Sequence, residues 1–193
     1  MVHSIVPLAV LEAVKNLDTP VEDGLTEFAD ELLVKRLGLS PTVQMQLAEF
    51  EQLVRKDARV DPSHVEALLR LVGRRPDADL VFADAGRRAA RKAVKRTSGV
   101  VRIFRQVAAR RAARAVLGAE LAWEQRLPVA RVSDPIAIQA TPDGAACGFY
   151  SAGLVELLRL LVGYEGAMVH VACRARGGTG CEWRASAPDP RHQ

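Results

Sequence analysis

The chain has 193 residues, of which 49% are apolar, carries a net charge of +4 and contains three cysteines. That size gives one large domain, or one domain behind a helical prelude, with enough apolar residues to bury a core. Three cysteines are an odd number and too few for a disulfide framework, which leaves free thiols or thiolate ligands. No apolar run approaches the roughly 18 residues of a membrane span, and Met1 to Leu17 lacks a basic start and a small-residue cleavage site, so a soluble cytoplasmic protein is expected.

The charge is uneven. Arg87 to Arg114 holds eleven Lys and Arg and no acid, which leaves 16 basic against 23 acidic residues elsewhere. Arg87, Arg91 and Lys95 fall on one helical stripe, and Arg102 and Arg105 extend it into the next helix. Such a surface could attract nucleic acid, anionic lipid or the propionates of a tetrapyrrole. A solvated face paired with acids elsewhere in the chain is the plainer reading.

In chain order, Pro7 to Leu17 has apolar residues at helical spacing, broken by Pro20 and Gly24. Glu22 to Leu37 resumes the period and stops at Gly38. Ser40-Pro41 and Asp61-Pro62 each set a capping residue before a Pro at the first helical position, predicting helices that run past Val54 and to Val72, the latter ended by Gly73. Further helices are predicted from Pro76 or Asp77 through Val94 and over Val100 to Leu117, with no strand before Gly118. Short strands follow at Glu120 to Arg126, Val129 to Val132 and Ile136 to Ala140. Thr141-Pro142-Asp143-Gly144 is a loop, Ala145 to Val162 an amphipathic helix, and Met168 to Arg174 and Cys181 to Ala185 a hairpin closed by a glycine-rich loop. The fold class expected is α+β: a helical N-terminal part (1–75), then a roughly four-stranded antiparallel sheet with one intervening helix (76–187), and a tail (188–193).

All three cysteines lie between Gly144 and Ala187, at positions 147, 173 and 181, and the nearest histidine is His170. Cys147, His170, Cys173 and Cys181 have the number and chemistry of a closed tetrahedral zinc site. The alternative is three cysteines packed as small hydrophobes. Strand alternation sets His170 on the face opposite Val169, Val171 and Cys173, so His170 and Cys173 can share an ion only if the strand bulges between them.

This stretch resembles the conserved end of the 4-vinyl reductase family of small ligand-binding domains. There a loop Cys precedes a helix, followed by a hairpin with an acidic residue, two residues, Cys, seven residues and Cys. Cys147, Cys173 and Cys181 match the three cysteines, and His170 stands where Glu is common. The resemblance implies zinc on these four side chains and a strand that bends at this point. Cys181-Glu182-Trp183-Arg184 is similar to the family's ending, and Asp84-Ala85-Gly86-Arg87-Arg88 to an Ala-Gly-Arg helix of the bacteriochlorophyll 4-vinyl reductase branch. A wider relation to TRAPP trafficking-complex subunits implies a homodimer with a lipophilic channel.

The family implies a sensor or carrier of apolar or tetrapyrrole-like small molecules, and Phe104, Trp123, Phe149, Tyr150, Leu154 and Leu158 fall on the elements that would line its pocket. Phenol sensing is disfavoured, since no histidine lies between His64 and His170. Reduction of a vinyl group would need a hydride donor, and no G-x-G-x-x-G follows a strand. A closed zinc site also offers no open position for catalysis, so a non-catalytic domain is expected. A vinyl reductase-like enzyme or accessory factor and a polyanion-binding regulator are the alternatives.

Overall fold

The computed structural model describes residues 1–19, 40–97, 104–141 and 143–186. The predicted helix over 22–37 and the start of the one predicted from Val100 lie outside them.

Ile5–Asp18 forms α1, apolar over most of its circumference. It sits between two partners. One side packs Leu8 and Leu11 against Val43 and Leu47 of α2 (Pro41–Arg55), and the other joins the main core with α4 (Ala78–Thr97). The caps read from sequence are in place: Ser40 accepts from Val43 N at 3.3 Å to start α2, and Asp61 accepts from Ser63 N at 2.8 Å to start α3 (Pro62–Val72). Arg75 holds Asp18 (2.7 Å) and Asp77 (2.8 Å) together, tying the end of α1 to the start of α4.

A two-stranded ribbon, β1 (Val2–His3) with β2 (Arg59–Val60), corrects the expectation of no strand before Gly118. Two residues per strand carry no periodicity to read, and only tertiary pairing defines them. Ile136–Ala140 is helical (α6), not a strand. Thr141 closes that turn by donating both its backbone N–H and its hydroxyl to the Ala137 carbonyl at 2.8 Å, while Ala137 and Ala140 bury against the neighbouring helices.

Arg105–Ala112 forms α5, which widens into a π-helical turn over Ala113–Leu117. The sheet follows: β3 (Glu120–Glu124), β4 (Leu127–Val132), β5 (Met168–Ala172) and β6 (Cys181–Ala185), all antiparallel in the order β3-β4-β6-β5. Leu121, Ala130, Val132, Met168, Cys181 and Trp183 turn one face to the helices. The opposite face carries a ladder of Glu124, Arg131, Glu182 and Arg184 joined by ion pairs of 2.6 to 3.2 Å. The α+β class and the four-stranded antiparallel sheet are as the sequence predicts. Two helices rather than one separate β4 from β5: α6 and α7 (Cys147–Val162). Among the described residues no helix is long and apolar enough to cross a membrane.

The helix α7 is held where it crosses α4. A Cβ at Gly86 would overlap the Phe149 carbonyl oxygen and come within 2.9 Å of Gly153 N, so the two backbones are in contact. Gly86→Ala is therefore expected to destabilise the fold by about 1–3 kcal/mol or more, the cost of overpacking against rigid backbone. Gly148→Ala is the control, because its new methyl would meet nothing nearer than Asp79 O at 3.9 Å. It should stay within about 1 kcal/mol of wild type, on the stabilising side. Urea unfolding of the two variants checks both.

Candidate metal centre

Three separate local structures bring the sulfur atoms together. Gly144 adopts φ +85°, a conformation only glycine takes without strain, and the turn it makes accepts the Cys147 N–H at 2.9 Å. Cys147 is thus the first residue of α7, buried where the helix starts. Cys173 follows β5, and a 3-10 turn over Arg174–Arg176 folds its carbonyl onto Arg176 N (3.1 Å) and Gly178 N (3.0 Å). Cys181 opens β6 opposite Val132.

The bulge that the sequence required is present. Val169 pairs with Arg184 and His170 with Trp183, but the next pair is Ala172 with Glu182, so Val171 is the extra residue. Val169 and Val171, 48% and 50% exposed, project outward, while His170 stacks inward on Trp183 with ring centroids 4.5 Å apart and planes 9° apart. Trp183 is in turn fixed by donating its indole N–H to Ser151 Oγ of α7 at 2.7 Å.

One ligand atom from each of Cys147, His170, Cys173 and Cys181 lies within 4.8 Å of all the others, and the four can hold a metal ion. Cys147 Sγ and Cys173 Sγ are 4.0 Å apart, and all three cysteines are free. His170 Nε2 is buried without a hydrogen-bond partner, a costly state for a polar atom unless something binds it. Arg174 N–H points at Cys181 Sγ (3.5 Å), a contact that favours thiolate. Burial pushes the Cys147 thiol well up, and the neighbouring Cys173 and Cys181 add to the shift. Burial likewise raises Cys181, against the opposing Arg174 N–H. His170 is lowered by burial, with a backbone hydrogen bond at Ala172 acting the other way, so its imidazole is neutral at pH 7. Without a cation, burial keeps the Cys147 and Cys181 thiols protonated. With one, they become ligands.

Set against family models, curated proteins and solved structures, the chain matches none of them.

The residues expected to line a ligand pocket divide among several places. Phe149 and Tyr150, in edge-to-face contact at 5.4 Å, border an open hollow of about 140 Å³ between α1, α3, α6 and the π-helical turn. Leu154 and Leu158 are fully buried in the core. Trp123 is half-buried on β3 with the Arg110 guanidinium 5.1 Å over its ring. Phe104, 57% exposed, lies with Val107 and Arg111 on a surface hollow away from Phe149 and Tyr150.

Much of the basic run is neutralised internally. Arg91 donates to Glu156 (2.7 Å), whose carboxyl Arg159 and Arg91 hold below the usual range. Arg88 pairs with Asp84, Lys92 with Glu12 and Arg96 with Asp57. Arg87, Lys95 and Arg105 are exposed, and Arg102 lies outside the described residues.

Other residues complete the picture. Gly144, read from sequence only as part of a loop, backs the sulfur cluster, and Trp183, read only as part of the family ending, carries the imidazole. Arg114, the last residue of the basic run, flanks the hollow with Arg59, which had no signal in the sequence.

The raised thiols give a pH signature. Below the ordinary thiol value of 9.0 both folded and unfolded chains keep Cys147 and Cys181 protonated, and nothing is lost. Above it only the unfolded chain ionises, so metal-free protein should lose up to about 1.4 kcal/mol per pH unit for each thiol. Metal-loaded protein should show the reverse, stable at alkaline pH and destabilised as acid protonates its ligands. Thermal melts from pH 5 to 10, with and without chelator, test the contrast.

Proposed function

We propose that this chain is a small-molecule-binding domain of the 4-vinyl reductase type, cross-linked by a structural zinc on Cys147, His170, Cys173 and Cys181. The observation that carries the zinc is the cluster of three sulfurs, those of Cys147 and Cys181 buried and that of Cys173 partly so, with one buried, unpartnered imidazole nitrogen. Zinc takes four ligands of this kind, with Zn–S bonds of about 2.3 Å that set sulfurs of a tetrahedral site roughly 3.8 Å apart. The 4.0 Å between Cys147 and Cys173 fits that spacing. Bound there, the ion supplies charge neutralisation and a cross-link between the start of α7 and the β5–β6 hairpin.

The small-molecule reading is supported by the hollow beside Phe149 and Tyr150, two and three residues beyond the Cys147 ligand. With all four positions taken by protein, the ion has none free for a reacting group, and the domain senses or carries its ligand without transforming it. The 4-vinyl reductase resemblance further suggests a homodimer and a ligand that is hydrophobic or tetrapyrrole-like. A reducing cytoplasm would keep the three thiols available as ligands.

Protein purified without chelator or histidine tag should hold one zinc per chain by elemental mass spectrometry. Cys173→Ser should lower that content and melt at least ~10 °C lower, the shift that a loss of a few kcal/mol produces in a chain of this length. Stoichiometric absence of metal, with melting unchanged in the variant, would sink the zinc. Native mass spectrometry of the same preparation reports any retained small molecule, and sedimentation equilibrium the dimer.

A further inference from the structure

The hollow beside Phe149 and Tyr150 combines an apolar floor with a basic rim. Val6, Leu69, Val132, Ile136, Phe149 and Tyr150 form the floor, and Arg59 and Arg114 stand at the edge. It runs into a second hollow of about 230 Å³ that shares His3, Arg59, Ala115 and Val116 as walls and adds Arg96 and Arg111. Among the described residues no carboxylate pairs with Arg59, Arg111 or Arg114. The two acids on these walls are already engaged: Asp57 with Arg96 (2.6 Å) and His3 (3.0 Å), and Asp134 with Arg174 (2.7 Å). His3 accepts the Ile5 N–H on Nδ1 at 3.1 Å, so its other nitrogen carries the proton donated to Asp57 and the imidazole adds no charge.

The backbone is shaped to this hollow. Arg114, Ala115, Val116, Leu117 and Gly118 all border it, five consecutive residues that a regular α-helix would spread around more than a full turn. The π-helical turn over Ala113–Leu117 and the left-handed Gly118 (φ +61°) after it allow that arrangement. Such turns are rare and frequently lie at functional sites.

Size limits the occupant. A dry cavity of roughly 150 Å³ accommodates a benzene molecule. The main hollow, at about 140 Å³, encloses one ring or a short chain.

We propose that this hollow is the ligand site and that its ligand is a small apolar carboxylate, a single ring or short acyl chain whose anionic head is held by Arg59 and Arg114. The inference rests on the small-molecule reading above and is independent of the zinc. Guanidinium groups suit a planar carboxylate because they present paired donors to its two oxygens. The floor adds favourable contact only for an anion with an apolar body.

Calorimetric titration of the full chain with benzoate and hexanoate, beside benzamide, hexanamide and inorganic phosphate, tests it. The acids should bind one per chain, at least tenfold tighter than their amides and than phosphate. An Arg59→Gln/Arg114→Gln double variant should lose that tenfold preference for acid over amide. Both side chains are exposed and outside the core, so melting should stay within a few degrees. Ala115→Trp, at the wall shared by both hollows, should block acid and amide alike. Equal binding of acids and amides, or an unchanged preference in the double variant, overturns the carboxylate while leaving small-molecule binding intact. Acid binding that survives Ala115→Trp overturns the location. No binding by any of these probes overturns the proposed ligand class, and a larger molecule retained in native mass spectrometry would then show that small-molecule binding itself stands.

Discussion

The contact between α4 and α7 runs through glycine on both sides, Gly86 and Gly153, so the two helix backbones approach more closely than any side chain would permit. Among the described residues no other helix pair packs as extensively, and the position of α7 follows from it. That helix begins with Cys147, presents Phe149 and Tyr150 to the hollow, and buries Leu154, Leu157, Leu158 and Leu161 in the core. The metal ligands and the hollow are therefore placed by one packing constraint whose chemistry is only the absence of a methyl group.

Burial then gives the sulfur cluster its character. Cys147 and Cys181, drawn out of water, resist ionising without a counter-charge, and a buried imidazole nitrogen without a partner has lost its hydrogen bond to water. A cation answers both costs at once. A path of rings also links the cluster to the hollow: His170 stacks on Trp183, Trp183 lies 5.5 Å from Tyr150, and Tyr150 meets Phe149 edge-on. These contacts make one continuous packed layer from the hairpin to the hollow.

The surface divides its charge by location. On the outer face of the sheet, Glu124, Arg131, Glu182 and Arg184 neutralise one another across neighbouring strands. Along α4 the basic residues reach acids on α1, on α7 and in the turn after α2, which converts a one-sign run in sequence into local pairs. Around the hollow, Arg59, Arg111 and Arg114 stand without such partners among the described residues.

The sequence alone determined the local elements. Ser40-Pro41 and Asp61-Pro62 announce helix starts, apolar spacing marks α1, α4 and α7, and three cysteines with one nearby histidine define a donor set, because caps, periodicity and ligand chemistry act over a few residues. Other features were silent. The β3–β4 turn places Gln125 (φ 48°) and Arg126 (φ 70°) in the left-handed region without the usual Asn-Gly, and β1–β2 is too short to leave a pattern. Ile136–Ala140 reads as a strand by composition, yet Thr141 and burial of Ala137 and Ala140 close it into a helix. Whether His170 and Cys173 could meet was decided by the bulge at Val171, and Arg59 joins Arg114 only because the β1–β2 ribbon lies beside the π-helical turn. Strand register and long-range packing set both, since each depends on a partner far away in the chain.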